Sequence, residues 1–139
     1  HLDKEYWRPG WQETSKDEWQ NRVKELICKD SWIMDGNYGG TMDIRFEKAE
    51  TVIFLDLPTI TCTYSILKRW FIYRNKTRPD VADGCNEKID LEFFLWVWNY
   101  KRRSGPKIID KLDKLKKSGK NIIIFKTRRQ VNKFIKNIN

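Results

Sequence analysis

The sequence predicts an α/β domain in which a parallel sheet carries helices on both faces, in three layers. Three short runs are continuously apolar rather than alternating, which is typical of strands buried on both sides. They span residues 31–35, 51–57 and 121–126. Segments with helical spacing separate them, and strands that alternate with helices form βαβ units. The length of 139 residues suits one such domain, so we predict a single domain over 1–139.

Each predicted helix has its own sequence signal. Thr14 and Ser15 each stand three residues before an acid, which is a capping box and predicts a helix over 16–29. Pro106 suits a first helical turn, and Gly119 ends the same helix. Thr127 is a candidate N-cap for the last helix. Apolar residues at helical spacing mark two more helices: Ile60, Tyr64, Leu67 and Phe71 in one, and Leu91, Phe94, Leu95 and Trp98 in the other.

The composition restricts the partners and the compartment. The chain has 28 Lys and Arg against 19 Asp and Glu, a net charge of +9. This balance favours nucleotides, phosphorylated molecules or nucleic acid as partners, although a solvated surface explains the lysines of 111–120 equally well. Three cysteines without a C-x-x-C pair indicate a reducing compartment, and one histidine gives no basis for a zinc site. Because no signal peptide or membrane-span pattern is present, we expect a cytoplasmic protein without a membrane partner.

Acidic residues stand at the ends of the predicted strands, where open parallel sheets bind ligands. Asp3 follows His1-Leu2, which resembles the tail of a strand in a chain that opens without Met and is expected to be a fragment. Asp3 and Asp35 are placed to hold a hydroxyl, a base amine or, through water, magnesium. For Asp56, which precedes Leu57-Pro58, we favour a purely structural turn.

Residues 35–40, Asp-Gly-Asn-Tyr-Gly-Gly, form a glycine-rich segment that we call the glycine loop. Glycines let the backbone approach a ligand closely. Tyr38 could stack on a base, and Asn37 could hydrogen-bond to one. The alternative is an ordinary flexible connection.

Residues 4–16 are rich in Trp, Pro and Gly and form a candidate substrate flap, in which Trp7 and Trp11 could grip a planar substrate. The aromatic stretch 93–100 is apolar on nearly all sides, so we predict that it serves core or interface packing rather than base stacking.

Arginines cluster around a second candidate mobile segment. Residues 75–90 are polar and turn-rich, which is typical of a lid between two helices. Guanidinium groups bind phosphate in a bidentate way and neutralise a moving phosphoryl group. The alternative is a solvated basic face. The arginines in question are Arg69, Arg74 and Arg78 at the start of the segment, and Arg102 and Arg103 after the following helix.

Several of these segments together resemble the DNA topology modulation proteins, a group related to flagellar-regulation proteins and to adenylate kinase. The resemblance covers essentially the whole chain. The most specific parts are the glycine loop and Lys76-Thr77-Arg78-Pro79-Asp80 in combination. The other matching parts are His1-Leu2-Asp3, Trp7-Arg8-Pro9-Gly10-Trp11, Trp32-Ile33-Met34, Thr41, Asp83-Gly84-Cys85 and Leu91-Glu92-Phe93.

The resemblance implies a P-loop nucleoside-kinase-like fold with ATP and Mg²⁺ as cofactors and a nucleotide or small phosphate acceptor as substrate. An Asp-Gly pair after a strand helps form the acceptor site in such proteins, and Asp35-Gly36 match it. The implied catalytic lid arginines are Arg69, Arg74 and Arg78, and Arg102 and Arg103 are assigned to the cofactor. The implied substrate site contains Asp3, Trp7, Asp35, Gly36, Asn37, Tyr38 and, by a looser match to an acceptor-phosphate ligand, Arg45. No residue is assigned to a metal.

The sequence departs from this family at one essential point. Members begin with a strand, a G-x-x-x-x-G-K-[ST] loop and a helix, and the chain contains no such motif. The backbone amides and the lysine of that loop cradle the triphosphate, and its Ser or Thr holds magnesium. We therefore expect a fold without the first strand, phosphate loop and first helix, and a chain that does not transfer phosphate efficiently alone.

Three function classes compete. The first is an ATP-dependent kinase that acts on a nucleotide or other small acceptor by positioning and charge neutralisation. The second is a DNA-binding regulator of topology or gene expression, which the basic last helix supports although no helix-turn-helix is evident. The third is a purely structural or interaction protein, which explains the aromatic helix but not the arginine-bearing lid.

Overall fold

A computed structural model describes residues 1–88 and 90–138. The chain divides into two compact units. Unit 1 consists of His1–Ala49 and Trp70–Lys88, and unit 2 consists of Glu50–Arg69 and the described part of Ile89–Asn139. The described chain is a mixture of α-helices and short strands, so the predicted α/β class is confirmed at that level.

Unit 1 is mainly helical. A helical turn α1 leads into a two-stranded antiparallel hairpin, β1–β2, with Trp7 opposite Glu13 and Arg8 opposite Gln12. Helix α2 follows, and a 3-10 turn over Gly39–Thr41 leads into α3. The bounds are Leu2–Tyr6 for α1, Trp7–Arg8 for β1, Gln12–Glu13 for β2, Lys16–Ile27 for α2 and Met42–Lys48 for α3.

The core of unit 1 forms where α1 and α2 pack together. Leu2, Trp19 and Val23 are buried there, and Met34 and Tyr38 pack against them. The predicted N-terminus of α2 is confirmed, because the Ser15 hydroxyl accepts a hydrogen bond from the Glu18 amide at 3.4 Å. This contact satisfies one of the free amides of the first helical turn.

Two predicted strand segments in unit 1 are wrong. Residues 32–38 are irregular rather than a strand, and Leu2-Asp3 belong to a helical turn rather than to a strand end. Between them the structure has one backbone hydrogen bond, from the Leu2 amide to the Asp35 carbonyl at 3.1 Å. A strand needs a repeated ladder of such bonds, so an apolar run without that ladder stays irregular.

The predicted flap over 4–16 is more ordered than an open loop. It comprises the end of α1 and the β1–β2 hairpin. The Thr14 side chain and the Thr14 amide both donate to the Tyr6 carbonyl, at 2.5 Å and 3.2 Å. These bonds close the hairpin onto the preceding helical turn.

Unit 2 contains a parallel pair of strands, β3 at Thr51–Leu55 and β4 at Asn121–Phe125. The register runs from Thr51 opposite Asn121 to Leu55 opposite Phe125. Both strands and their parallel relation agree with the sequence prediction. The helices of this part of the chain are α4 at Thr59–Tyr73, of which the last four residues belong to unit 1, α5 at Leu91–Arg103, α6 at Gly105–Lys117 and α7 at Arg128–Ile138.

The local signals for the last two helices are confirmed. Pro106 lies in the first turn of α6, and Gly119 adopts a left-handed φ of 91° just beyond its end. The Thr127 hydroxyl accepts a hydrogen bond from the Gln130 amide at 3.3 Å, as an N-cap does.

The burial predicted for unit 2 is only partly correct. Ile53 and Leu55 on one face of β3 are 47% and 52% exposed, so this strand is not buried on both sides. Within the described residues its sheet has two strands, and α6 and α7 contact β4. Helix α5 has no buried residue, and Trp96 and Trp98 are exposed, so the core alternative for the aromatic stretch is wrong. Interface packing of this stretch stays a prediction.

Within 1–88 and 90–138, no helix combines the length and apolarity that crossing a membrane requires.

Candidate functional site: the glycine loop of unit 1

The glycine loop takes a backbone path that depends on its sequence. Gly36 has a φ of 131°, and Tyr38 has a left-handed φ of 30°. A Cβ atom added to Gly36 would lie 3.0 Å from the Leu2 Cβ and 3.1 Å from the Tyr38 ring. Gly36 is therefore required for both its backbone angle and its close packing. Added Cβ atoms at Gly39 and Gly40 would meet no neighbour, so the space beside that end of the loop is open.

Arg45 of α3 holds this loop in place through hydrogen bonds to its backbone. The residue is buried, and its guanidinium donates to the carbonyls of Gly36 at 3.0 Å, Asn37 at 2.7 Å and Tyr38 at 3.1 Å. A fourth bond reaches the Thr41 carbonyl at 3.3 Å. Burial lowers the pKa of Arg45. Its donors are directed at the backbone, so in this conformation Arg45 positions the loop; the prediction that it contacts an acceptor phosphate stays a prediction.

Tyr38 links the loop to Asp3 of α1. The Tyr38 hydroxyl donates to Asp3 Oδ1 at 2.6 Å. Burial is the main cause that raises the pKa of the Tyr38 hydroxyl, and the hydrogen bond to Asp3 adds to it. The phenol therefore stays protonated and acts as a donor to the carboxylate. This bond places Asp3 beside the glycine loop, on a helical turn and not at the predicted strand end, and its role in holding a ligand stays a prediction.

Aromatic rings continue from Tyr38 toward the hairpin. The Tyr38 ring lies 4.8 Å from Tyr6 and 4.9 Å from Trp19, measured between ring centroids. Tyr6 in turn contacts Trp7 edge-on at 5.0 Å, and Trp7 contacts Trp11 at 5.4 Å. Such edge and tilted pairs are favourable beyond the area that they bury. Tyr38 is therefore packed into a cluster of rings rather than projecting to stack on a base.

Asp35 lies at the exposed side of the loop. Its two carboxylate oxygens lie 3.0 Å and 3.2 Å from His1 Nδ1. Asp35 and Asn37 are both exposed, whereas Asp3 and Trp7 are half-buried. The accessible polar groups of the site are thus Asp35, Asn37 and the backbone around Gly39 and Gly40.

The flap is joined to the segment 84–88 of the predicted lid. The Gly10 amide donates to the Gly84 carbonyl at 3.1 Å, and the Trp11 indole donates to the Asn86 carbonyl at 2.9 Å. The Cys85 thiol donates to the Arg8 carbonyl at 3.2 Å. Two segments that the sequence predicts as separate mobile parts are therefore hydrogen-bonded to each other here.

Arg78 forms ion pairs within this lid-like segment. Its side chain is 7% exposed, and its Nε lies 2.6 Å from Glu87 Oε2, a group that is itself 5% exposed. Arg78 Nη1 also lies 2.6 Å from Asp80 Oδ2. With two carboxylates beside it, the guanidinium is neutralised and withdrawn from solvent. A role in phosphate binding requires these ion pairs to open, and it stays a prediction.

The other predicted arginines have separate surroundings. In unit 1, the Arg74 guanidinium carbon lies 5.5 Å from the Trp70 ring centroid. In unit 2, that of Arg69 lies 5.9 Å from the Phe93 ring centroid. Both contacts are cation–π interactions. Arg102 and Arg103 are exposed in the last turn of α5. Arg74 and Arg78 thus belong to unit 1, and Arg69, Arg102 and Arg103 belong to unit 2.

Asp56 Oδ1 lies 3.0 Å from Lys101 Nζ, and the expectation that Asp56 serves a purely structural turn stays a prediction. Within the described residues no group of three His, Cys, Asp or Glu side chains is placed to hold a metal ion. The residues present therefore do not form a Mg²⁺ site of that kind, and the chain has no glycine-lysine loop for a triphosphate.

An open groove of about 590 Å³ also lies in unit 1, between the hairpin and α2. Its two arginines are already engaged: Arg8 pairs with Glu18, and Arg22 pairs with Glu5 at 2.7 Å and Glu25 at 3.1 Å. A phosphate would have to displace these carboxylates, so the groove is a weaker candidate site than the glycine loop.

Sequence reasoning missed two structural roles near the site. Glu87 neutralises Arg78, and Tyr6 connects Tyr38 to the tryptophans. Neither residue stands within a motif. The only available signal was that 75–90 holds acids as well as arginines, which permits internal ion pairs.

Comparison with known proteins gives no relative: no protein-family model, no curated protein and no solved structure matches this chain.

Proposed function

We propose that this chain belongs to the P-loop nucleoside-kinase-like proteins and that the glycine loop of unit 1 is its acceptor site for a nucleotide. The proposal rests on the resemblance described from the sequence. The single observation that supports it best is that a buried arginine is committed to shaping this loop. Arg45 donates to four carbonyls of residues 36–41, and Asp35 and Asn37 are exposed beside the open backbone of Gly39 and Gly40.

The exposed groups suit a planar, amine-bearing ring. An ionised carboxylate only accepts hydrogen bonds, and an amide side chain both donates and accepts. Asp35 could accept from an exocyclic amine, in the place that His1 Nδ1 occupies in this conformation. The half-buried Trp7 offers an apolar surface on the hairpin of the same unit. The residues of the chain would bind and orient the acceptor, and no step of phosphoryl transfer is assigned to them.

Binding of the four common nucleoside monophosphates to the 139-residue chain tests this proposal by isothermal titration calorimetry. We expect at least one to bind in the micromolar to millimolar range, and Asp35→Asn to weaken it by about tenfold, the worth of one charged hydrogen bond. Asp17→Asn, at another exposed acid on α2, is the matched control and should leave binding unchanged. Absence of binding by all four, or equal losses in both variants, would reject the acceptor site.

The phosphate-transfer part of the proposal has its own test. With ATP and the bound monophosphate, the chain should give no turnover above the uncatalysed rate, because the motif that cradles a triphosphate is missing from its sequence. Clear turnover would show that the chain handles triphosphate by other residues and would contradict the assignment to the P-loop class.

A second candidate function is DNA binding through α7. The basic residues of this helix and of the turn before it are exposed on unit 2: Lys126, Arg128, Arg129, Lys133 and Lys136. Contacts to phosphates weaken steeply with salt. A titration of duplex DNA at 50 mM and then at about 200 mM salt tests the idea, with a predicted loss of roughly a hundredfold or more for several phosphate contacts. No binding at the lower salt would exclude it.

A further inference from the structure

Three aromatic rings follow one another along one face of α5. Phe93, Trp96 and Tyr100 are spaced by three and then four residues, which makes them neighbours on the helix surface. The Phe93 and Trp96 rings are nearly parallel, with an interplanar angle of 20° and centroids 5.8 Å apart, and the Tyr100 centroid lies 5.0 Å from that of Trp96. Phe93 is 39% and Trp96 is 45% exposed, so solvent reaches these rings. We call the three residues the ring ladder.

Arginines lie at both ends of the ring ladder. At one end, the guanidinium carbon of Arg69 lies 5.9 Å from the Phe93 ring centroid. At the other end, Arg103 follows Tyr100 by three residues, so the helical spacing continues from the rings to a cation, and Arg103 is exposed. The acid of α5, Glu92, lies in its first turn, whereas the last turn is basic. Apolar rings and guanidinium groups therefore share one face of the helix.

The excess positive charge of the chain lies in the unit that carries the ring ladder. Unit 2 contains 16 Lys and Arg against 6 Asp and Glu, a net charge of +10, whereas unit 1 contains 12 against 13, a net charge of −1. A surface of this sign attracts a polyanion and repels a second copy of itself. The charge of unit 2 thus selects an anionic partner for the ladder.

Among polyanions, a single-stranded nucleic acid matches the ladder in both of its features. Unpaired bases stack their flat faces on aromatic rings, while the phosphates of the same strand contact guanidinium groups. In a duplex the base faces are covered by neighbouring pairs, and an anionic lipid surface offers phosphates without flat groups. The helix rises about 10 Å from Phe93 to Tyr100, which is room for about three stacked bases.

We propose that the ring ladder, together with Arg69 and Arg103, binds single-stranded nucleic acid, with the bases on the rings and the phosphates on the arginines. From the sequence we predict packing rather than base stacking for residues 93–100, and the exposure of two rings beside arginines favours the opposite. The proposal depends neither on the glycine loop nor on duplex binding by α7.

Fluorescence anisotropy of labelled oligothymidine and oligouridine of about 12 nucleotides, at about 50 mM salt, tests this surface on the intact chain. Both should bind alike, because stacking and phosphate contacts do not require the 2′-hydroxyl. Trp96→Ala should weaken both by about tenfold, the worth of one base stacked on a ring, and should leave any binding of a duplex unchanged. Trp98→Ala is the matched control and should leave every dissociation constant unchanged, because Trp98 is 52% exposed on the same helix but does not share a face with Trp96.

Two further variants separate the ring from the charge. Trp96→Phe keeps a ring at the same place and should retain most of the affinity, and Arg103→Gln should lower the slope of log affinity against log salt by about one phosphate contact. Far-UV circular dichroism of each variant checks that folding is retained.

No binding of either oligonucleotide at about 50 mM salt would overturn the proposal. It would also fail if Trp98→Ala weakened binding as much as Trp96→Ala, or if Trp96→Ala weakened duplex binding to the same degree. Binding of phosphatidylserine vesicles or self-association that depends on Trp96, without binding of the oligonucleotides, would assign the ladder to another partner and reject it.

Discussion

Replacing Arg45 tests the claim that one buried guanidinium shapes the glycine loop. Arg45→Met keeps the aliphatic stem and removes the donors to four carbonyls. The carbonyls of Gly36 and Asn37 belong to exposed residues and can rehydrate, and Thr41 lies at the start of α3. The stability lost therefore comes mainly from the bond to the half-buried Tyr38 carbonyl and from the positive charge that strengthens all four bonds. Part of this loss is offset, because the variant no longer has to bury a charged group, and that burial is what lowers the pKa of Arg45. We expect a loss of about 2 to 3 kcal/mol in the free energy of unfolding.

Urea unfolding followed by tryptophan fluorescence measures this loss, because Trp19 lies 4.9 Å from Tyr38. Arg22→Met is the matched control: Arg22 is 44% exposed in its ion pairs with Glu5 and Glu25, so its loss should cost at most about 1 kcal/mol. If Arg45→Met costs less than about 1 kcal/mol, or no more than Arg22→Met, the reasoning about the loop is refuted.

Three further predictions concern unit 1. Gly36→Ala should lower the free energy of unfolding by about 2 kcal/mol or more, because Gly36 has a φ of 131° and an added Cβ would be crowded. Gly39→Ala should be nearly neutral, because an added Cβ there would meet no neighbour. Urea unfolding measures both changes, and equal effects would contradict this reasoning. The pKa of Tyr38 is raised in the folded state, so its contribution to stability is present below about pH 10 and falls as the pH rises further. Tyr38→Phe should therefore reduce the loss of thermal stability that the parent chain shows above about pH 10. An unchanged pH profile of thermal stability in this variant would exclude the role. Arg78→Met should cost about 3 to 5 kcal/mol by leaving Glu87 buried without its cation, and Arg78→Met with Glu87→Gln should recover part of this; full additivity in a double-mutant cycle would reject the coupling.

Local elements of the fold could be predicted because their causes lie close together in the chain. The Ser15 cap of α2 depends on an amide three residues away, and the Thr127 cap of α7 is equally local. The apolar runs of β3 and β4 are hydrogen-bonded to each other and form the predicted parallel pair. The similar run at 31–35 lacked a ladder and stayed irregular, although its composition is that of a buried strand.

The candidate site could be predicted only as a list of residues. The sequence predicts both Asp3 and Tyr38 as site residues, and the structure joins them by a hydrogen bond of 2.6 Å. The sequence predicts Arg45 and Arg78 as phosphate ligands, yet Arg45 is bonded to carbonyls of the loop and Arg78 to carboxylates. An arginine pattern indicates that strong donors are present, and it does not say which acceptor lies nearest.

The sequence by itself determined the α/β class, the positions of most helices, the two paired strands and the chemical character of the glycine loop, because these depend on short-range spacing, turn chemistry and the burial of apolar runs. Only the tertiary structure decided what each charged side chain faces and which apolar stripes remain uncovered. Arg78 is neutralised by Glu87, nine residues away, and Tyr38 reaches Asp3 across 35 positions. Such partners are chosen by packing, since burying a donor or a charge is tolerated only where a complementary group is brought against it.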